Sequence, residues 1–178
     1  MKHVDAALDL PEAPAPSTDA EMFLALVNRV LMIVAGLALV SAALVLTESV
    51  VERYFLHAST EWQDETTVFL LVGATFLSAP FVQQVRAHVG IEALPEILSP
   101  RANHFRRIAV DIVSLAFCAF FAWKAWTLFH EAWVDDQHTS SSFGPPLWIP
   151  YSMMSLGMSI LCLQIITQLA ASLRRGSP

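Results

Sequence analysis

Charge is scarce in this chain. Of its 178 residues, 15% are charged and 55% are hydrophobic, whereas ordinary soluble domains carry about 25% charged residues. The mean hydropathy is +0.53. This composition excludes an ordinary soluble domain and predicts an integral membrane protein. The net charge of -6 also argues against a nucleic-acid partner, because such partners select basic surfaces.

Catalytic and metal-binding motifs are also missing. The sequence contains no GxSxG, HExxH, phosphate-loop or CxxC pattern, so we expect no enzyme and no cofactor in this chain. Its two cysteines, Cys118 and Cys162, both lie in apolar runs. Lone cysteines in such runs pack as small apolar residues. We therefore predict neither a disulfide nor a metal site.

Long uncharged runs predict the fold. Thr66 to Val85 carries no charged residue, and at about 1.5 Å per residue it spans about 30 Å, the thickness of a bilayer hydrocarbon core. Three further apolar runs have the same character. The predicted fold is all-α, an integral membrane bundle of four transmembrane helices. The predicted spans are residues 24–54, 63–85, 104–134 and 149–173, within a domain of residues 21–175.

The segments outside the spans have different compositions. Residues 1–20 contain three closely spaced prolines and predict a disordered cytoplasmic tail, without the apolar core of a secretory signal. Residues 86–99 alternate apolar side chains with glutamates, which predicts a short amphipathic segment on the membrane surface. The proline-rich stretch 135–150 predicts an ordered loop leading into the fourth span.

Several residues predict local features of the helices. Thr60 and Gln63 resemble a capping box at the start of the second span. Pro80 should kink that span and free the carbonyl of Phe76. Small residues, among them Gly36 and Gly157, should allow close helix packing.

Polar residues within or near the apolar runs predict further contacts. Gln164, Thr167 and Gln168 can hydrogen-bond a neighbouring helix. Asp111 lies one turn from Arg107 and should pair with it. Lys124, between Trp123 and Trp126, is interpreted as snorkelling into an interfacial aromatic belt.

The basic residues predict the orientation. Cytoplasmic loops are enriched in lysine and arginine. One side of the membrane receives Arg29, Arg86, Arg101, Arg106, Arg107, Arg174 and Arg175. The other side receives Arg53 and Lys124 among Glu48, Glu52, Glu61, Asp64, Glu65, Glu131, Asp135 and Asp136. Both termini are therefore predicted to be cytoplasmic. The first and third helices are the longest, and we expect them to project from the periplasmic side.

The four-helix pattern alone leaves other functions open. Two pairs of histidines are expected to lie at two depths in the membrane, His57 with His130 and His88 with His104. A haem-bearing electron-transfer anchor holds its haems with paired axial ligands arranged in this way. His57 and His88 lie beyond the apolar cores, where a haem would be poorly buried. A transporter that works alone normally has ionisable groups near the midplane of its bundle, and none is expected here. A freestanding membrane scaffold is a further alternative.

Two motifs at the ends of the second span point to a family. Trp62-Gln63-Asp64-Glu65, followed after the span by Arg86-Ala-His88-Val-Gly-Ile91, resembles the DctQ-like small membrane subunit (Q subunit) of tripartite ATP-independent periplasmic (TRAP) transporters. In that family Trp-x-x-Glu opens this span, and Arg-x-His before an apolar alternation closes it. The start of the fourth span is also similar, with Pro145-Pro146-Leu147-Trp148 and Tyr151. The resemblance extends from Phe23 to Leu173.

The resemblance implies a place in a larger assembly. Such subunits pair with a large multi-pass permease subunit that carries the sodium and substrate sites and works as an elevator. A periplasmic substrate-binding protein delivers an organic anion, often a carboxylate, to the pair in the bacterial inner membrane. The small subunit is similar to a fixed scaffold that braces the permease subunit and helps dock the binding protein. Sodium coupling is expected in the large subunit.

Each motif residue has two interpretations. Glu65 is either a charge that complements the amino end of its helix or a contact with a basic residue of the partner. Trp62 is expected to anchor the helix at the membrane interface. Arg86 and His88 either complement the helix carboxyl end and lipid phosphates or bridge to the partner subunit. Trp148 and Tyr151 are candidate contacts at the start of the fourth span.

Overall fold

The computed structural model describes residues 19–57, 59–85 and 100–175. It contains helices α1 (Asp19–Phe55), α2 (Glu61–Gln84), α3 (Pro100–Val134) and α4 (Trp148–Arg175). Within the described residues there is no strand, and a single bridge joins His138 to Pro146. The predicted amino-terminal tail and the predicted amphipathic segment lie outside the described residues, apart from the first helical positions at 19 and 20.

Each of the four helices is long and apolar enough to cross a membrane. The candidate spans are Glu21–Phe55, Glu61–Gln84, Ile108–Val134 and Trp148–Leu173. An α-helix is suited to this setting because it satisfies its backbone hydrogen bonds internally, which a lipid environment requires. The prediction of an all-α protein with four transmembrane helices is confirmed.

The helices pack in a row. Extensive contacts join α1 to α2, α2 to α4, and α4 to α3, so α2 and α4 are the central pair and α1 and α3 are the edge helices. Hydrogen bonds link Glu61 to Ser142 near the start of α2 and Gln83 to Gln168 near its end. The central helices are therefore parallel. We name the end with the α1–α2 connection and loop 135–147 the loop end, and the opposite end the termini end.

The face of α1 that packs on α2 repeats every seven residues. Asn28, Ala35, Ala42 and Ser49 are all buried. A seven-residue repeat keeps one stripe facing a neighbouring helix, and small side chains bring the two backbones close. Gly36, which we expected to serve the same purpose, has no neighbouring atom within 4 Å of its Cβ position. That prediction is wrong because Gly36 lies on the outer side of α1.

The contact between α3 and α4 contains an apolar cluster. Ala122 of α3 packs with Met158, Leu161 and Ile165 of α4. Cys118 and Cys162 also pack against this cluster and are partly buried, as expected for small apolar packing residues. Ala125 and Ala132 continue the buried face of α3 toward the loop end.

A proline and a glycine set the closest approach in the row. Pro80 is fully buried inside α2, and because it has no N–H it leaves the carbonyl of Phe76 without its helical donor. That carbonyl faces Gly157 of α4. A Cβ at Gly157 would lie in contact with the carbonyl oxygen of Phe76 and 2.7 Å from its carbonyl carbon. Glycine is therefore required here by the approach of one backbone to another.

The extra length of the edge helices lies at the termini end. Helix α1 has 37 residues and α2 has 24, while Asn28 of α1 already bonds Gln84, the last residue of α2. The residues of α1 before Asn28 therefore extend past α2. On the other side of the row, Trp133 near the end of α3 packs on Trp148 at the start of α4, so the surplus of α3 also lies near Pro100. The expected projection of both helices at the end with the predicted periplasmic loops is wrong, while the orientation of that end in the membrane stays a prediction.

Replacing Gly157 by alanine should destabilise the protein. The added methyl group meets the Phe76 backbone, which cannot move aside as a flexible side chain would, and overpacking of this kind costs about 1–3 kcal/mol. Gly36→Ala is the matched control because its Cβ position is open. Unfolding of both variants in detergent micelles measures the difference. Equal midpoints for the two variants would show that the helices do not meet at Gly157.

Candidate partner-contact site at the loop end

The loop end gathers most of the motif residues. Trp62 and Glu65 lie in the first turns of α2, and Trp148 and Tyr151 lie in the first turn of α4. Because α2 and α4 are neighbours and run parallel, all four residues lie at one end of the row. Arg86 and His88 lie outside the described residues, so their roles stay predictions.

Cross-helix bonds replace the predicted capping box at the start of α2. Thr60 makes no side-chain capping bond; instead its hydroxyl accepts a hydrogen bond from Arg53 Nη2 at 2.6 Å. The Gln63 amide donates to Glu52 Oε2 at 2.7 Å. The capping-box prediction is therefore wrong. Hydrogen bonds to charged groups are stronger than bonds between neutral groups, and the charged partners come from α1.

An ion pair completes this connection between α1 and α2. Arg53 Nη2 lies 3.2 Å from Asp64 Oδ2, with side-chain exposures of 63% and 54%. Pairs exposed to this degree contribute little to stability in water. Gln63, by contrast, is completely buried, so its bond to Glu52 is the more important contact between the two helices at this end.

Glu65 presents a buried acceptor. The residue is half-buried, and its Oε2 has no hydrogen-bond partner among the described residues. Gln63 Oε1 and Thr67 Oγ1 are also buried without such a partner. Buried polar atoms normally have a hydrogen-bond partner. The start of α2 therefore holds three buried oxygen atoms that lack a hydrogen-bond partner among the described residues.

Glu61 has a different role from Glu65. Its Oε2 accepts a hydrogen bond from the Ser142 backbone N–H at 3.2 Å. This bond fastens loop 135–147 to the first turn of α2. Both glutamates are near the amino end of the helix, where negative charge is favourable, but Glu61 has a partner within the chain.

Loop 135–147 is ordered, as predicted. Thr139 N–H donates to the Pro145 carbonyl at 3.1 Å, and Leu147 N–H donates to the Gln137 carbonyl at 2.9 Å. Gly144 adopts the left-handed region with φ 56°, where glycine meets no steric penalty. The loop thus folds back on itself before α4 begins.

Aromatic rings line the loop end of α3 and α4. The rings of Trp133 and Trp148 meet edge to face at 5.2 Å between centroids. Further along α3, Trp126 Nε1 donates to Ser159 Oγ at 3.0 Å. Trp62 is 42% exposed, in keeping with an interfacial anchor. Tyr151 is half-buried, and its N–H donates to the Leu147 carbonyl.

Like the polar contacts at the loop end, a layer of polar side chains joins the helices at the termini end. Asn28 Nδ2 donates to Gln84 Oε1 at 3.0 Å and to Gln164 Oε1 at 2.8 Å, so one side chain joins α1, α2 and α4. Gln83 and Gln168 bond each other at 3.0 Å. Interhelical bonds by Gln164 and Gln168 are as predicted, whereas Thr167 donates to the Gln164 carbonyl of its own helix. Asn28 was not among the predicted contacts, although an amide near the start of an apolar helical run is a recognisable signal.

Metal-ligating side chains are not grouped in the described part of the chain. Within residues 19–57, 59–85 and 100–175, no three His, Cys, Asp or Glu side chains are grouped closely enough to hold a metal ion. His57 and His130 are exposed, and the haem alternative stays a prediction. Asp111 is buried, and because the Arg107 side chain is outside the described set, their pairing stays a prediction.

Comparison with known proteins decides the family. Residues 42–175 match the family of tripartite ATP-independent periplasmic transporters, DctQ component. The chain belongs to this family. It is also similar to the isethionate TRAP transporter permease protein DctMQ of Oleidesulfovibrio alaskensis, with 23% identity over 136 residues. That alignment covers 73% of this chain and 21% of the relative, so this DctQ-family chain spans about a fifth of the relative's length.

Truncating Asn28 should weaken the row at the termini end. Asn28→Ala removes two interhelical hydrogen bonds. Such bonds contribute on average about 0.6 kcal/mol each in membrane proteins, so we expect a loss of about 1 kcal/mol. Thr47→Ala is the control, because the Thr47 hydroxyl bonds only the Ala43 carbonyl of its own helix. Denaturant unfolding in mixed micelles measures both, and a larger loss for Thr47→Ala would contradict the network.

Proposed function

We propose that this chain is the non-catalytic small subunit of a sodium-coupled TRAP transporter and braces a large elevator-type permease subunit in the bacterial inner membrane. The observation that carries the proposal is the open row of four spans in a chain of the DctQ family. Each edge helix makes its extensive contacts with one neighbour and leaves its outer side available.

The polar layers support a static role. The Asn28 network joins three helices at the termini end, and the Gln63–Glu52 bond with the Glu61–Ser142 bond joins α1, α2 and the loop at the other. Between these layers the central helices meet backbone to backbone at Gly157. A subunit with interhelical hydrogen bonds at both ends and close packing in the middle is suited to hold a moving partner in place.

The relative suggests how the partner is arranged. The name of the relative, DctMQ, joins the designations of an M component and a Q component. The present chain matches about a fifth of the length of that protein. We infer that the remainder corresponds to a separate, larger permease subunit for this chain. The proposed substrate is an organic anion such as a carboxylate, and sodium and substrate would bind to that larger subunit.

The loop end is proposed to face the periplasm. Among the described residues, it carries most of the acidic side chains and Arg53 as its one strong base, whereas the basic residues of the other side follow the positive-inside rule. In this orientation loop 135–147 and the start of α2 are accessible to a periplasmic substrate-binding protein. Trp62, Trp148 and Tyr151 would anchor this end at the interface, and Arg86 with His88 would contact lipid or partner at the cytoplasmic end.

Uptake should require both membrane subunits. We expect this chain to co-purify with a co-expressed large permease subunit. Proteoliposomes that contain both subunits and are supplied with binding protein should accumulate substrate when a sodium gradient is imposed. Proteoliposomes with this chain alone should show no uptake above empty vesicles. Robust uptake by this chain alone would overturn the proposal.

Neutralising Glu65 should separate its two interpretations. As a helix-start charge alone, Glu65→Gln lowers stability by under about 1 kcal/mol and leaves uptake intact. Because Glu65 is only half-buried, part of this side chain is accessible to the partner, and we expect a contact with the partner and a loss of uptake in an assembled complex. Asp64→Asn is the matched control, since Asp64 is exposed and pairs with Arg53. Unchanged uptake with Glu65→Gln would favour the helix-start interpretation.

A further inference from the structure

Helix α3 carries a second stripe, opposite the face that packs on α4. Its members recur at spacings of four and three residues and are all exposed. They are Val113, Phe117, Phe120, Lys124, Thr127 and Glu131. We name this set the outer stripe. Residues at this spacing share one face of a helix, and the packed face, on which Ala122 and Ala125 lie, is on the other side of α3.

The depth of Lys124 can be read from the contacts of α3 with α4. The Trp133–Trp148 ring pair marks the interfacial belt at the loop end. Lys124 precedes Trp133 by nine residues, which places its Cα about 13 Å deeper along the helix. Trp126, two residues away, bonds Ser159, which lies in the middle of α4. Half of a hydrocarbon core is about 15 Å, so Lys124 lies near the midplane.

This depth weighs against the snorkelling interpretation. A lysine side chain reaches about 6 Å, and in a helix it leans toward the amino end, which for α3 is the far side of the membrane. The Nζ atom lies 4.8 Å from the centre of the Trp123 ring. That cation–π contact offsets part of the cost of burying the charge. An ammonium group facing lipid at this depth nevertheless lacks the acceptors that it requires.

The other edge helix has no such feature. Between Val30 and Thr47 helix α1 carries no charged residue, and its exposed side chains, such as Leu37 and Leu44, are apolar. A face of this kind is suited to lipid. The outer stripe of α3 combines exposed phenylalanines, with Phe117 67% exposed, and a cation at mid-depth. Intramembrane charges face protein or water rather than lipid.

We propose that the outer stripe of α3 is the surface on which the large permease subunit docks, and that a carboxylate of that subunit pairs with Lys124 near the midplane. The proposal rests on the proposed function, which supplies the partner. A second copy of this chain fits poorly, because a twofold axis along the membrane normal would bring two Lys124 ammonium groups to the same depth.

Photo-crosslinking tests the surface. A photoreactive amino acid is placed at Phe117 or Phe120 in the outer stripe, and at Leu37 or Leu44 of α1 as the matched control at exposed positions. We expect the α3 positions, and not the α1 positions, to crosslink to the co-expressed permease subunit. Crosslinks only to lipid or to a second copy of this chain would overturn the proposal.

Substitution of Lys124 tests the charge. With Lys124→Leu we expect recovery of the permease subunit in co-purification to fall at least about tenfold, while the small subunit alone keeps its unfolding midpoint. Lys124→Arg should restore recovery, and Leu37→Ala should not change it. Recovery that is unchanged or higher with Lys124→Leu means that the residue faces lipid and overturns the proposal.

The two proposals fail in different ways. If the wild-type chain does not co-purify with the permease subunit, the proposed function itself is overturned, and the docking surface with it. If the wild-type pair assembles but neither the crosslinks nor the Lys124 variants behave as expected, only the docking surface is overturned.

Discussion

The approach of α2 to α4 at Gly157 is the contact on which the rest of the row depends. Pro80 leaves the Phe76 carbonyl without a helical donor, and the absence of a side chain at Gly157 lets the second backbone come against it. Since α2 and α4 are the central pair, this approach fixes their register. The hydrogen bonds of Gln83 with Gln168, and of Asn28 with Gln164, follow from that register.

The polar groups of the described helices are arranged to support this packing. Within a membrane the hydrophobic effect does not drive helices together, and association rests on close packing and interhelical hydrogen bonds. The row uses both. Small residues such as Ala35 and Ala42 line the middle of α1, while amides and charged groups join the helices at the two ends. The result is an array with two outer faces of different chemistry, an apolar one on α1 and one with a lysine on α3.

Much of the candidate site could be located from the sequence, but not its bonding. Four motif residues are placed at one end by the span boundaries and by the opposite directions of successive spans. They are Trp62, Glu65, Trp148 and Tyr151. The partners of Thr60 and Gln63 do not, because a capping box is a local pattern and the observed acceptors and donors come from Glu52 and Arg53 of another helix. A capping box predicted from the local sequence does not form when charged groups of a neighbouring helix bond the same side chains.

The sequence by itself determined the class of protein, the number of spans and their approximate ends, because length and hydropathy limit a membrane-spanning chain to few solutions. The family followed from the motifs at the ends of the second span and from the match over residues 42–175. Only the tertiary structure decided the order of the helices, the end from which α1 and α3 extend, and the position of Lys124 relative to α4. These properties depend on which helix meets which and in what register. Register is set by contacts such as Phe76 with Gly157, between residues far apart in the chain, and a single helix does not contain that information.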